Sequence, residues 1–180
     1  MKIYKIGIIG CGGIAQKMAA TLEKMKGVER YAVASRNQEK AEAFANKWGF
    51  TKAYGSYEEL ASDPEVDLIY IATPHAMHYD NAHMCIEKGK PVLCEKAFTA
   101  NARQAEDLLA FAKEKGVFIT EAIWTRYMPL SLKIQELLKE GVIGTPYTLS
   151  ANLSYPISNK ERIIRPELAG GALLDIGVYT

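Results

Sequence analysis

Short apolar runs and helical periodicities alternate along the first two thirds of the chain. Residues 3–9 form an apolar run of strand length, and residues 13 to about 25 place Ile14, Met18 and Leu22 on one side of a helix. Residues 30–35 read as a second strand. Asn37 then stands where it would cap a helix carrying Ala41, Phe44, Ala45 and Trp48, which stops near Gly49. Residues 51–54 make a short third strand, and Ser56 with Glu59 three positions on forms a capping box before a short helix. Residues 66–72 are a strongly apolar fourth strand, followed by a helical pattern over 75–87 that ends at Gly89. Val92 and Leu93 make a short strand entered through Pro91, residues 99–115 a long helix, and residues 117–120 a sixth strand.

This series predicts an α/β fold: a Rossmann-type, doubly wound parallel sheet with helices on both faces. Right-handed crossovers bring every strand's carboxyl end to one edge, where ligands of such sheets bind. The glycine loop after the first strand, Ser35-Arg36, Thr73-Pro74-His75, Glu95-Lys96 and Glu121 all fall there. The pattern changes after Trp124. Residues 132–138 suggest a helix, and residues 145–153 alternate like the first strand of a different sheet. A basic loop, Ser158-Asn159-Lys160-Glu161-Arg162, follows, and Gly170-Gly171 precedes a helical start. The expected division is a nucleotide-binding domain over residues 1–123 and the beginning of an α+β substrate and dimerisation domain over 124–180.

Composition narrows the class. Of 180 residues, 48% are hydrophobic and 24% charged, enough apolar material for a core. A formal charge of +1 makes no broad electrostatic case for nucleic acid. Cys11, Cys85 and Cys94 are odd in number and lack paired spacing, which predicts reduced thiols and a cytoplasmic setting. No CxxC motif or histidine–cysteine cluster suggests a metal. The short apolar run after Met1-Lys2 reads as a first strand rather than a leader, and no stretch approaches the ~20 apolar residues of a membrane span.

The glycine segment Gly10-Cys11-Gly12-Gly13-Ile14-Ala15 is a dinucleotide cradle in this setting. Gly10 permits the turn, Gly12 lets a pyrophosphate approach the backbone, and Ala15 allows close packing of helix on sheet. NAD sites usually carry an acidic residue at the end of the second strand. Ser35 and Arg36 stand there instead, so NADP is favoured over NAD, with Arg36 pairing the 2′-phosphate or, in the plainer alternative, simply starting the next helix. Lys96 is a candidate to polarise a substrate oxygen, or else a loop lysine. Asp175 and Tyr179, four apart, share a face if their segment is helical, and a tyrosine near a lysine relays protons. His75 and His78 resemble a metal pair by spacing but lack a third ligand. One of them would contact cofactor or substrate instead. Trp124, Arg126 and Tyr127 either wall a pocket or pack the domain junction. Cys94 reads as a buried strand-end thiol.

Taken together, these motifs resemble the glucose–fructose oxidoreductase / inositol 2-dehydrogenase / MocA-like (Gfo/Idh/MocA) family. The nearest likeness is to its dihydrodiol dehydrogenase and NADP-dependent D-xylose dehydrogenase branch. The motifs carrying the likeness are the glycine segment, Ala72-Thr73-Pro74-His75-Ala76-Met77-His78, Cys94-Glu95-Lys96-Ala97, Glu121 through Pro129, and Gly170 through Tyr179. The resemblance implies Lys96 as the catalytic-site lysine, Tyr179 as general acid/base and Asp175 as an orienting group. It places Thr73, His78 and Glu95 in the cofactor region and makes Arg36 the selector of NADP. It implies hydride transfer between NADP and a CH–OH/C=O centre of a sugar, polyol or cyclic diol, and a homo-oligomer formed through the second domain. An NAD(P)-dependent inositol or polyol dehydrogenase and an inactive NADP-binding fragment are the alternatives.

The chain departs from the family at Ala97, where proline is usual, which frees φ and predicts a less rigid Lys96. Family members also continue well past the length seen here, so an incomplete second domain is expected. Titration with both cofactors checks the role of Arg36. NADP is expected to bind more tightly, and NAD binding at least as tightly would remove that role.

Overall fold

The first apolar run folds as β1 (Tyr4–Ile9), between β2 (Val28–Ala34) and β4 (Leu68–Ile71). With β3 (Lys52–Tyr54), β5 (Val92–Cys94) and β6 (Ile119–Glu121) they make a six-stranded parallel sheet in the order β3-β2-β1-β4-β5-β6. The structure is a computed structural model describing residues 2–157 and 159–180. Met1, ahead of the apolar N-terminal run, and Ser158 of the basic loop lie outside the described residues.

Register sets the site. Ile9 pairs with Ala34 and Ile71, Ile71 with Cys94, and Cys94 with Glu121, so the strands end at one level. Strand order reverses between β1 and β4, and the loops leaving these two strands part there to open a crevice.

Helices cover both faces. α1 (Gly13–Leu22) and α2 (Gln38–Trp48) pack Ala15, Ala19 and Phe44 against Ile8, Val33 and Tyr70. α3 (Tyr57–Ser62), α4 (His78–Glu87) and α5 (Ala102–Lys115) pack Leu60, Ile86 and Leu108 against Ile9, Ile69 and Ile71. The alternation of Ile8 with Ile9, and of Tyr70 with its isoleucine neighbours, follows from the period of two in a strand. Each fully buried Leu or Ile side chain contributes about 1.5–3 kcal/mol. Local chemistry sets the helix ends. Asn37 accepts from the Lys40 amide at 2.9 Å, and Ser56 and Glu59 make the capping box. α2 and α5 end on left-handed glycines, Gly49 and Gly116.

The structure corrects several boundaries. α1 stops at Leu22 rather than near residue 25, because Lys24 and Met25 turn back onto Thr21 and Leu22. α5 begins at Ala102, not 99, since Asn101 caps it through the Gln104 amide at 3.0 Å. The strand expected over 145–153 is absent. Among the described residues no second sheet receives it, and Tyr147 and Leu149 are 94% and 90% exposed. From Trp124 on, the regular elements among the described residues are helical: a short 3-10 turn (Trp124–Tyr127), α6 (Pro129–Lys139), α7 (Glu161–Ile164) and α8 (Ala172–Asp175) among them. Asp175 and Tyr179 do not share one helix. α8 ends at Asp175, and Tyr179 closes a separate 3-10 turn (Gly177–Tyr179), with Ile176 at φ −118° between the two.

Away from the crevice, Asp63 ties α3 to the sheet. Its carboxylate accepts from Lys52 at 2.9 Å, the Tyr54 hydroxyl at 2.6 Å and the Glu65 amide at 2.9 Å. Burial would raise its pKa, but these three donors outweigh burial and hold it at about 2. An unfolded aspartate titrates near ~3.9, so the stabilisation is present above that pH and is lost as pH falls through the folded value. Asp63→Asn is expected to lower stability by about 1–3 kcal/mol at pH 7 in urea unfolding, with the gap closing toward pH ~2. A gap independent of pH would contradict this account.

Candidate functional site

Three loops at the carboxyl edge and one C-terminal segment enclose a cavity of about 610 Å³. The glycine loop forms its first wall. Gly10 has φ +98°, and a Cβ there would lie 2.9 Å from the Ala72 carbonyl oxygen, so β1 and β4 meet closely only with glycine. Gly12 and Gly13, at the start of α1, would project a Cβ into open space, and both line the cavity with Ile14. No side chain caps α1. Its first amides and the positive end of its dipole are therefore available to an anion, and Ala15 is fully buried against the sheet. A backbone cradle of this kind fits a dinucleotide pyrophosphate.

The second wall is Thr73-Pro74-His75. Thr73 Oγ1 accepts from Asn81 Nδ2 at 3.1 Å. His75 lies 3.4 Å through Nδ1 from the Ala169 carbonyl, and burial is the main cause lowering its pKa. His78, expected in the cofactor region, is fully buried and does not line the cavity. Its ring nitrogens instead lie 2.8 Å from the carbonyl oxygens of Thr73 and Ala97, joining the second loop to the third from beneath. The two carbonyls favour a doubly protonated ring and burial opposes it. Burial is the larger effect, so the His78 pKa is lowered.

The third wall is Glu95-Lys96. The Glu95 carboxylate accepts from the Tyr70 hydroxyl and, at 3.2 Å, from the Lys96 amide. Burial raises its pKa despite those donors. The Lys96 ammonium donates to the Asp175 carbonyl and, at 3.2 Å, to Asp175 Oδ1, and it stands 4.8 Å over the Tyr179 ring. Ala97 is buried, and the Lys96–Ala97 peptide bond is cis. The Tyr179 hydroxyl accepts from Trp124 Nε1 at 3.0 Å. Burial raises the Tyr179 pKa; the Trp124 hydrogen bond opposes this, and the carboxylates of Glu95, Asp175 and Glu121 add to the rise. Asp175 also takes Arg162, and His75 Nε2 is 4.0 Å away. Burial would raise the Asp175 pKa, but the Arg162 and Lys96 hydrogen bonds outweigh it and lower the value.

Gly12, Gly13, Ile14, Thr73, His75, Glu95, Lys96 and Asp175 therefore meet at one cavity, with Tyr179 under the lysine. Ser35, Arg36 and Cys11 lie off it. Ser35 Oγ accepts from the Asn37 amide at 3.3 Å, and Cys11 Sγ is 3.9 Å from the Ala34 carbonyl. Arg36 is exposed at the end of β2, where its charge opposes the burial that raises the Tyr57 pKa. Trp124 contacts Tyr179 rather than the cavity, and Arg126, in the same turn, does not line it. Cys94 is fully buried, with burial raising its pKa. The sequence did not mark Lys17, Lys160, Arg162 and Leu168 as lining residues, nor Tyr70 as the partner of Glu95. The only available signal was the positive charge of the loop around Lys160 and Arg162.

A parallel Rossmann-type sheet with ionisable groups gathered at its switch point has the architecture of a dinucleotide-binding domain. Residues 4–122 match the model of the oxidoreductase family with NAD-binding Rossmann fold, and residues 131–180 match the GFO/IDH/MocA C-terminal domain. The chain belongs to the GFO/IDH/MocA family. It is 44% identical to a D-xylose 1-dehydrogenase (NADP(+)) of Hypocrea jecorina, over 97% of this chain and 50% of that protein. It is 41% identical to a trans-1,2-dihydrobenzene-1,2-diol dehydrogenase of Xenopus tropicalis, over 97% and 54%. The structure of KijD10, a 3-ketoreductase from Actinomadura kijaniata in complex with NADP and TDP-benzene, superposes with TM-score 0.83 at 31% identity, over 99% and 55%. The chain spans about half the length of the curated relatives it matches. No helix among the described residues is long and apolar enough to cross a membrane.

The buried imidazole generates a prediction. His78→Ala leaves buried carbonyls unpaired, at an expected cost of about 1–3 kcal/mol in urea unfolding, and weakens NADPH binding by releasing both loops. Stability and NADPH affinity equal to the parent's would contradict the tie.

Proposed function

We propose that the chain is the cofactor-binding part of an NADP-dependent oxidoreductase acting on a CH–OH/C=O centre of a sugar or cyclic diol. Residues 1–123 are its cofactor unit, and residues 124–180 open its substrate unit. The observation that carries this reading is the Lys96 ammonium, held on Asp175 over the ring of Tyr179 and facing the cavity that the glycine loop also lines. The Rossmann fold and the NADP-bound relative support NADP as cofactor. That its relatives include a D-xylose 1-dehydrogenase and a dihydrodiol dehydrogenase supports the substrate class.

When bound, NADP supplies the hydride chemistry. The amides of Gly12 and Gly13 would hold its pyrophosphate, and Arg36 with Ser35 its 2′-phosphate. The protein's own task is the proton. Tyr179, with its pKa raised, keeps its proton at neutral pH and would give it to a carbonyl oxygen during reduction or take it back during oxidation. Lys96, above the ring, would polarise the same oxygen and stabilise negative charge on the phenol. Asp175 fixes the ammonium, and Thr73, Pro74 and His75 shape the opposite wall.

A screen of the chain, and of a version extended to its relatives' length, tests this with NADP(H) against aldoses, inositols and trans-dihydrodiols. Turnover on one of these is expected, with Lys96→Ala and Tyr179→Phe each lowering kcat about 10²–10⁴-fold. Tyr179→Phe is expected to leave NADPH affinity within about threefold of the parent. Absence of turnover in both forms, or parent-like kcat in both variants, would overturn the proposal.

A further inference from the structure

Arg162 lies outside every motif that carries the family likeness, yet its position is built rather than incidental. It sits on α7 (Glu161–Ile164). The Gly171 amide donates to the Ile163 carbonyl at 2.8 Å, and a Cβ on Gly170 would lie 2.6 Å from that same oxygen. Glycine at 170 thus lets α7 press against the start of α8, which ends in Asp175. The Arg162 guanidinium reaches Asp175 Oδ1, the oxygen that Lys96 takes at 3.2 Å. The Asp175 side chain is only 6% exposed, whereas that of Arg162 is 46% exposed and lines the cavity.

We propose that Arg162 is a positioning residue that acts through Asp175. It keeps the Asp175 carboxylate ionised and aimed, and so fixes where the Lys96 ammonium stands. The proposal rests on the reading of Lys96 as part of the reacting site. A carboxylate this buried is driven toward its neutral form unless cations face it. Four groups face it here: Arg162 from α7, Lys96 from the loop after β5, His75 from the turn after β4, and Tyr179 just beyond α8. The His75 pKa is lowered by burial, and Tyr179 brings no positive charge. The compensating charge therefore comes from Lys96 and Arg162. With Lys96 alone, the ammonium would have to serve both Asp175 and the substrate oxygen. Arg162 takes the first duty through a charge-assisted hydrogen bond from Nη1 to Oδ1 of the carboxylate.

The test reads Asp175 directly, by ¹³C NMR of the extended protein carrying carboxyl-labelled aspartate, with the signal assigned through Asp175→Asn. In the parent the Asp175 midpoint is expected below the ordinary carboxylate range. In Arg162→Gln it moves up by about one pH unit, and in Arg162→Lys it returns most of the way. On the active substrate, kcat/KM of Arg162→Gln falls about 10–100-fold, with NADPH affinity within about threefold and the acid limb of the pH profile moving with the NMR midpoint. A parent midpoint in or above the ordinary range overturns the proposal without any variant having to fold. So does an unmoved midpoint in Arg162→Gln, or a moved one with unchanged kcat/KM. Full activity in Lys96→Ala would defeat the catalytic reading instead, while the Asp175 midpoints would still report on Arg162.

Discussion

The buried carboxylate of Asp175 ties the C-terminal segment to the edge of the sheet. Its Oδ1 accepts from Lys96, 79 positions back in the chain, and from Arg162, 13 positions back. A charge removed from water is tolerated only when opposite charges and hydrogen bonds replace its hydration. That requirement orders the region. Asp175 stays in place because two cations converge on it, and Lys96 stays over Tyr179 because the carboxylate holds its ammonium. Tyr179 in turn keeps its hydroxyl oriented through Trp124. Each of these side chains belongs to a different helix, loop or turn.

Those loops converge because the strands end level. The pairings of Ile9, Ile71, Cys94 and Glu121 leave the connections after β1, β4, β5 and β6 side by side. The two ends of the cavity then differ in kind. The cofactor end is backbone, open space over Gly12 and Gly13 at a helix start, and is held by the core beneath it. The opposite end is side-chain charge, arranged by Lys96, Asp175 and Arg162. His78 ties the loop after β4 to the loop after β5 from below, through the carbonyls of Thr73 and Ala97.

What the sequence made legible was local. Apolar periodicity marked six strands, and the caps at Asn37 and at Ser56 with Glu59 appear as read, because each depends on residues only three apart. Gly10 was legible for the same reason: its turn has a conformational requirement that few other residues meet. What depended on distant partners was not legible. The spacing of His75 and His78 says nothing of which ring is covered by the sheet. Tyr70 looks like one more apolar strand residue until its hydroxyl is seen at Glu95. The alternation over 145–153 describes a strand, but a strand needs a neighbour that a pattern cannot supply. The four-residue spacing of Asp175 and Tyr179 likewise missed the break at Ile176, although both residues still reach Lys96. Arg162 carried no signal beyond its charge, since its meaning lies in the carboxylate it meets.

In the proposed function this edge moves hydride and proton between NADP and one carbon–oxygen centre. Isotope transfer tests it most directly: NADPH deuterated at the reactive nicotinamide carbon is incubated with the extended protein and the carbonyl forms of the candidate sugars and diols. The account predicts deuterium on the new carbinol carbon of one substrate, from one face of the nicotinamide only. NADPH that binds at the glycine loop and delivers no deuterium to any of them would contradict it.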